Sequence, residues 1–270
     1  MREKEKLHFD NLILPDVHGP FHIIGDVHGC YEELRALLYL LQFDVKFDDA
    51  EQRYTVIEPQ QYRLIFVGDL VDRGPDSPGV LQLVMDLVEQ GYAYCVQGNH
   101  DDKLHRKLIG RKVQVRYGLE TTLEQLRHRD NTFINRVRSF IGGLPHHLVL
   151  DEDRLVVAHA GLEERLHKKN TRTARELSLY GPTTGQVDKN GFPVRLDWAA
   201  DYTGQAIVVY GHTPVYESYW RNNTINIDTG CVFGGRLTAL TYPDHRLTGV
   251  DAFRVYAEPA RPFLKYFKAS

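Results

Sequence analysis

Cysteine is scarce in this chain: Cys30, Cys95 and Cys231 stand far apart among 270 residues, odd in number and in no C-x-x-C pair. That argues against a disulfide framework or a zinc-thiolate site and reads the three as reduced small hydrophobes. Long apolar runs are missing too. No window approaches the ~18 apolar residues of a membrane span, and the charged opening MREKEKLHFDN has no apolar stretch before a small-residue cleavage site. The expectation is a cytoplasmic protein with no membrane partner. Nor does one sign of charge dominate: 33 Lys and Arg face 36 Asp and Glu, a formal net charge of -3. This excludes a globally basic polyanion binder and leaves any nucleic-acid contact to a local patch. Internal repeats and low-complexity linkers are absent as well.

What is present suffices for one sizeable core, with 42% hydrophobic residues. YEELRALLYLLQ puts Leu34, Leu37, Leu38 and Leu41 on one helical face, and SPGVLQLVMDLVEQG does the same with Leu81, Val84, Met85 and Val88. Short β-branched runs at 21–26, 62–69, 92–99, 154–160, 206–213, 224–230 and 237–242 read as strands. The pattern predicts an α/β fold in layers, with mixed sheets covered by helices. A helical insertion is expected over 101–145 and a polar excursion over 163–205, with GPTTG and NGFP turn chemistry. Residues 1–20 read as an arm, 21–256 as the main domain, and 257–270 as a tail that returns as a peripheral strand or an irregular wrap.

Five of the strand-like runs end in side chains able to bind a cation: Asp26 with His28, Asp69, Asn99, His159 and His212. Each has glycine beside it, which lets the backbone turn sharply, and ligands in α/β sheets collect beyond the carboxyl ends of strands. Oxygen and imidazole donors without thiolate favour a borderline divalent metal such as manganese, iron or zinc. Asp69 can bridge two ions ~3.5–4 Å apart. In GDLVDRGPDS and GNHD, His100 is positioned as a general acid, Asp72 as the carboxylate that orients it and Arg73 as a clamp on phosphoryl oxygens. The tetrad DVHG occurs twice, at 16–19 and 26–29. The second follows a strand and launches a helix. The first lies between Pro15 and Pro20 as an extended connector, so Asp16 and His18 are read as incidental.

The ordered set GDVHGC, GDLVDRG, GNHD, HAG and GHT resembles the calcineurin-like metallophosphoesterases, in their phosphoprotein-phosphatase branch, over roughly residues 21 to 250. The resemblance implies a four-layer αββα sandwich with two metal ions between the sheets. It assigns Asp26, His28 and Asp69 to one ion and Asp69, Asn99, His159 and His212 to the other, with manganese foremost and iron, nickel or zinc as alternatives. His100 would be the acid, assisted by Asp72, with Arg73 on phosphate. Two later stretches, LYGPTTGQVDKNGFPVRLDWAADYTG and NNTINIDTGCVFGGRLTALTYP, resemble the phosphatase domains of bacterial polynucleotide kinase-phosphatases and the free-standing symmetrical diadenosine-tetraphosphatases. They add Arg195 and Asp228 as substrate-binding residues. Departures are the missing G-x-x-x-x-G-K-[ST] loop, Asp101 where the repair relatives carry glutamate, and the missing SAPNYC signature.

The basic run KLHRKLIGRKVQVR follows His100 and offers Arg111 and Lys112 as a cradle for a polyphosphate or a strand end, with Arg165 to Arg175 as a second wall. Tyr117, Tyr180 and Trp198 are candidates to stack on a base. The partner expected is a phosphorylated substrate, first a nucleotide or polynucleotide 2′/3′ end. Symmetrical hydrolysis of dinucleoside tetraphosphates comes second and dephosphorylation of Ser, Thr or Tyr in proteins third. A catalytically silent phosphate-binding module is the reading from another class, and every ligand position being filled argues against it.

Overall fold

The computed structural model describes residues 12–57, 61–189 and 191–264. Residues 1–11 of the expected arm and 265–270 of the expected tail lie outside the described residues. The chain opens with β1 (Ile13–Leu14), β2 (Phe21–Ile24), α1 (Tyr31–Leu40), β3 (Val45–Asp48), β4 (Arg53–Val56), β5 (Arg63–Phe66), α2 (Ser77–Glu89) and β6 (Ala93–Cys95). Three helices follow: α3 (Asn99–Leu108), α4 (Leu119–Leu126) and α5 (Asn131–Gly143). The remainder runs β7 (His147–Leu150), β8 (Leu155–Ala158), α6 (Arg172–Tyr180), β9 (Thr183–Val187), β10 (Pro193–Arg195), β11 (Ile207–Tyr210), β12 (Trp220–Arg221), β13 (Thr224–Asn226), β14 (Arg236–Tyr242) and β15 (Arg246–Asp251).

Two mixed sheets result. One has the order β15-β14-β2-β5-β6, with β2, β5 and β6 parallel and in register through pairs such as Ile24 with Phe66 and Ile65 with Tyr94. The other has the order β1-β7-β8-β11-β13-β12, with β8, β11 and β13 parallel. The period-2 alternation of the strands sorts their side chains. Phe21, Ile23, Ile65 and Val67 from the first sheet meet Leu155, Val157, Val209 and Ile225 from the second in one buried layer. The opposite face of the first sheet, through Ile24, Leu64 and Phe66, packs on the leucine stripes of α1 and α2. Each such side chain contributes about 1.5–3 kcal/mol when fully buried. The outer face of the second sheet is covered more thinly. Val149, Val156 and Val208 lie under Tyr202 and Trp198, and Ala158 lies under α6. No helix among the described residues is long and apolar enough to cross a membrane.

All seven expected strands and both leucine-striped helices are present. Other elements went unread in the sequence. The β3–β4 and β9–β10 hairpins are short and mostly exposed or half-buried, β15 carries little apolar alternation, β7 begins with His147, α6 lies inside the stretch read as a polar excursion, and β12 is two residues long. Residues 12–14 join the second sheet through β1, parallel to β7.

Candidate functional site

The parallel strands of both sheets end along one rim, and the chain turns there abruptly. His28, Asp69, Asp72, Arg73 and His212 all have positive φ, between 46° and 76°, which a non-glycine residue adopts only against a cost of about 1–3 kcal/mol. The turns are held from outside. Asp101, at the third position of α3, accepts N–H groups from Asp69 (2.8 Å), Leu70 (3.0 Å) and Gly98 (3.0 Å), tying the loop after β5 to the start of α3. Gly211 lets β11 come so close to β2 that a Cβ there would fall 2.0 Å from Asp26 Oδ1.

These turns bring together the six expected metal-ligating residues. Two clusters, His28–Asp69–His100 and Asp69–His159–His212, each have ligand atoms within 4.8 Å of one another, and Asp69 is common to both. Its Oδ2 lies 3.5 Å from His28 Nε2 and 3.4 Å from His159 Nε2, and its Oδ1 accepts the His100 N–H at 2.8 Å. Asp26 accepts the His212 N–H at 3.1 Å. His28 Nδ1 donates to the Val71 carbonyl (2.7 Å) and His159 Nδ1 to that of Val67 (3.1 Å), which turns both Nε2 lone pairs into the centre.

This donor set fits a pair of divalent cations. With Nδ1 committed, His159 Nε2 presents a lone pair 3.0 Å from Asn99 Oδ1, 2.9 Å from His212 Nδ1 and 3.4 Å from Asp69 Oδ2. Imidazole nitrogens, an amide oxygen and a carboxylate oxygen gathered this closely are the donor types that a borderline divalent cation takes. His212 Nε2 is buried without a hydrogen-bond partner. The acids carry the same strain. Burial and the neighbouring carboxylates of Asp228 and Asp69 drive Asp26 well above the usual range. Burial and then Asp69 raise Asp101 to about 7, and burial foremost raises Asp228 to about 6. Burial also pushes Asp69 upward, but His159 and His100 outweigh it and hold that carboxyl well below its ordinary value. Burial drives His28 and His212 well down, aided by the charges of Arg73 and Arg195 respectively.

Beside the clusters, His100 Nδ1 donates to Asp72 Oδ2 at 2.6 Å. Asp72 is fully buried, and its Oδ1 accepts the Thr122 hydroxyl of α4 at 2.7 Å. Arg73 lies over the Phe233 ring (5.2 Å), with its guanidinium 2.6 Å from His28 Nε2 and 2.8 Å from His100 Nε2. A cavity of about 540 Å³ opens here, lined by His28, Arg73, His212 and Asp228 at one end and by Phe192 and Arg261 at the other. Arg195 and Trp198 line it too, so both residues added by the resemblance, Arg195 and Asp228, stand on this cavity.

Other candidates stand elsewhere. Arg111 and Lys112 are exposed on the loop after α3 and do not line the cavity, because α3 carries them outward from its buried first turn. The expected second wall is taken up by other pairings: Arg165 with Glu163 and Arg172 with Glu176 locally, and Arg175 with the distant Asp102 and Gln97. Asp16 is exposed, and His18 bonds Asp151 at the opposite end of β2. The three cysteines are free and buried, though Cys30 and Cys231 meet beside Glu33. Sequence reasoning missed Thr122, Phe192 and Arg261. Asp101 had a legible signal, an acid three residues after the Gly98 cap.

Comparison with known proteins gives a consistent picture. The family model for calcineurin-like phosphoesterase matches residues 19–254. The chain is 45% identical over 248 residues to the asymmetrical bis(5′-nucleosyl)-tetraphosphatase PrpE of Anoxybacillus flavithermus, covering 90% of this chain and 99% of that protein. It is also 45% identical to the protein of the same name from Geobacillus thermodenitrificans, covering 85% and 93%. Among solved structures, one provisionally assigned as a diadenosine tetraphosphatase superposes with a TM-score of 0.61 at 26% identity, covering 90% of this chain and 97% of that one.

Proposed function

The chain belongs to the calcineurin-like phosphoesterase family and is a metal-dependent phosphoric-ester hydrolase, and from that premise we propose that its substrate is a dinucleoside tetraphosphate, cut off-centre into a nucleoside triphosphate and a nucleoside monophosphate. The observation that carries this reading is the cavity. At about 540 Å³ it far exceeds a phosphate group, and it runs from carboxylates and imidazoles to an aromatic and arginine wall. Relatives aligned over nearly their whole length bear the matching name. The polynucleotide-end reading placed first from sequence gives way because its cradle, Arg111 and Lys112, stands off the cavity.

In this proposal Asp26, His28 and Asp69 hold one cation and Asp69, Asn99, His159 and His212 the other, with manganese as the metal and the cytoplasm as the setting. The ions would polarise the phosphoryl oxygens and supply a nucleophilic water at neutral pH. Arg73, with two guanidinium nitrogens facing the site, clamps the phosphoryl group under attack. His100, oriented by Asp72 through Nδ1, presents Nε2 to the leaving oxygen and delivers its proton there. Incubation of the manganese-loaded protein with diadenosine tetraphosphate and anion-exchange analysis of the products tests the reading. ATP and AMP in equal amounts are expected. ADP as the sole product, or no turnover, overturns it.

A further inference from the structure

Two pieces of chain remote from the metal-ligand residues build the far end of the cavity. The turn between β9 and β10 brings Phe192, and β10 itself brings Arg195. The C-terminal segment brings Arg261, and this segment is firmly seated. Leu264 N donates to the Pro214 carbonyl at 2.9 Å, and the Phe263 ring packs on Tyr216 (5.2 Å) and Phe233 (6.1 Å). A Cβ on Gly230, two residues past Asp228, would fall 2.3 Å from Phe263 Cζ. Arg261 is thereby laid over the Phe192 ring, 4.6 Å from its centroid, with Nη2 on Asp188 Oδ2 (3.2 Å) and on the Pro193 carbonyl (3.3 Å). Its Nε is buried with no acceptor.

Resting on the dinucleoside reading, we propose that Phe192 and Arg261 form the platform that receives one nucleobase of the substrate, while Arg195 meets the phosphate chain on its way to the metal-ligand residues. The Phe192 ring with the Arg261 guanidinium over it offers the kinds of flat surface, aromatic and arginine, on which bases stack. Arg195 lines the same cavity as His212 and Arg261, and its Nη1 donates to the Tyr180 carbonyl. A ligand with an anionic middle and a flat, weakly polar end satisfies the whole cavity, whereas a phosphopeptide leaves Phe192 and Arg261 without a counterpart. Gripping the substrate by one base also sets the cleavage register, since the number of phosphates between platform and metals selects the bond that is cut.

The test compares Phe192→Leu and Arg261→Gln with the wild type on diadenosine tetraphosphate and on inorganic tripolyphosphate, which has the chain and no base. Each variant is expected to raise KM for the dinucleotide about tenfold or more and to lower the ratio of kcat/KM values, dinucleotide over tripolyphosphate, by a similar factor. A misfolded fraction lowers both rates alike, so the ratio is insensitive to partial loss of structure. Ratios within twofold of wild type in both variants overturn the platform and leave the proposed substrate standing. A wild type that cleaves tripolyphosphate and ignores the dinucleotide overturns both.

Discussion

In the proposed mechanism Asp69 is the shared ligand and His100 the acid, and the surroundings of the two side chains differ accordingly. Asp69 is surrounded by imidazoles on both sides, so its carboxylate stays ionised despite burial. His100 commits Nδ1 to Asp72, and its Nε2 lies 2.8 Å from the Arg73 guanidinium. His100→Ala is therefore expected to keep both metals, counted by atomic emission, while kcat on phosphate esters with poor leaving groups falls about 10²–10⁴-fold. Unchanged rates on those esters would remove it as the proton donor. At this scale the sequence was readable where a side chain follows a strand directly, as for Asp26, Asn99, His159 and His212. It was also readable in the choice between the two DVHG tetrads, because proline brackets one and a leucine-striped helix follows the other. The error lay in the charges: a run of Lys and Arg looks the same whether its helix aims it at a pocket or at water.

Among the elements, α4 has a role that no motif announces. It brings Thr122 beneath Asp72, where the hydroxyl donates to the carboxylate at 2.7 Å and lies 2.9 Å from the Asp72 N–H. Both Asp72 and Thr122 are fully buried, so Thr122→Val leaves a carboxylate oxygen unsatisfied at a cost of about 1–3 kcal/mol and leaves the Asp72 N–H with only the Ser77 hydroxyl at 3.2 Å. The expected outcome is a lower denaturation midpoint together with a fall in kcat larger than the change in KM, since His100 loses its fixed orientation. A kcat equal to wild type would show that the helical insertion does not tune the site. Contacts of this kind were illegible in advance because Thr122 and Asp72 are fifty positions apart and are brought together by the packing of α4 on α2 and α3.

For the whole molecule, the two facing sheets impose a pH limit separate from the site. His22 on β2 bonds Thr241 and stacks on Tyr62, and His147 on β7 bonds the His167 carbonyl. Burial, with help from Arg246 and His146 respectively, lowers each to about 4. Between about 4 and 6.5 the unfolded chain binds more protons at these positions than the folded one, so stability falls as the pH drops through that window. Urea unfolding between pH 7.5 and 5 should show this loss. His22→Gln, which cannot titrate, should flatten it by about 1.4 kcal/mol per pH unit. A slope equal to wild type would mean that His22 is freely protonated in the fold.

By itself the sequence determined the strands, the two leucine-striped helices and the short polar turns that end five runs. Each of these is written in a local period or a glycine beside a donor, and local patterns survive without knowledge of the partner segment. The tertiary structure alone decided that Thr122 and Asp101 hold the turns in place and that Phe192 and Arg261 meet at the far end of the cavity. Those outcomes depend on which faces pack together, a property of long-range burial that no stretch of residues encodes on its own.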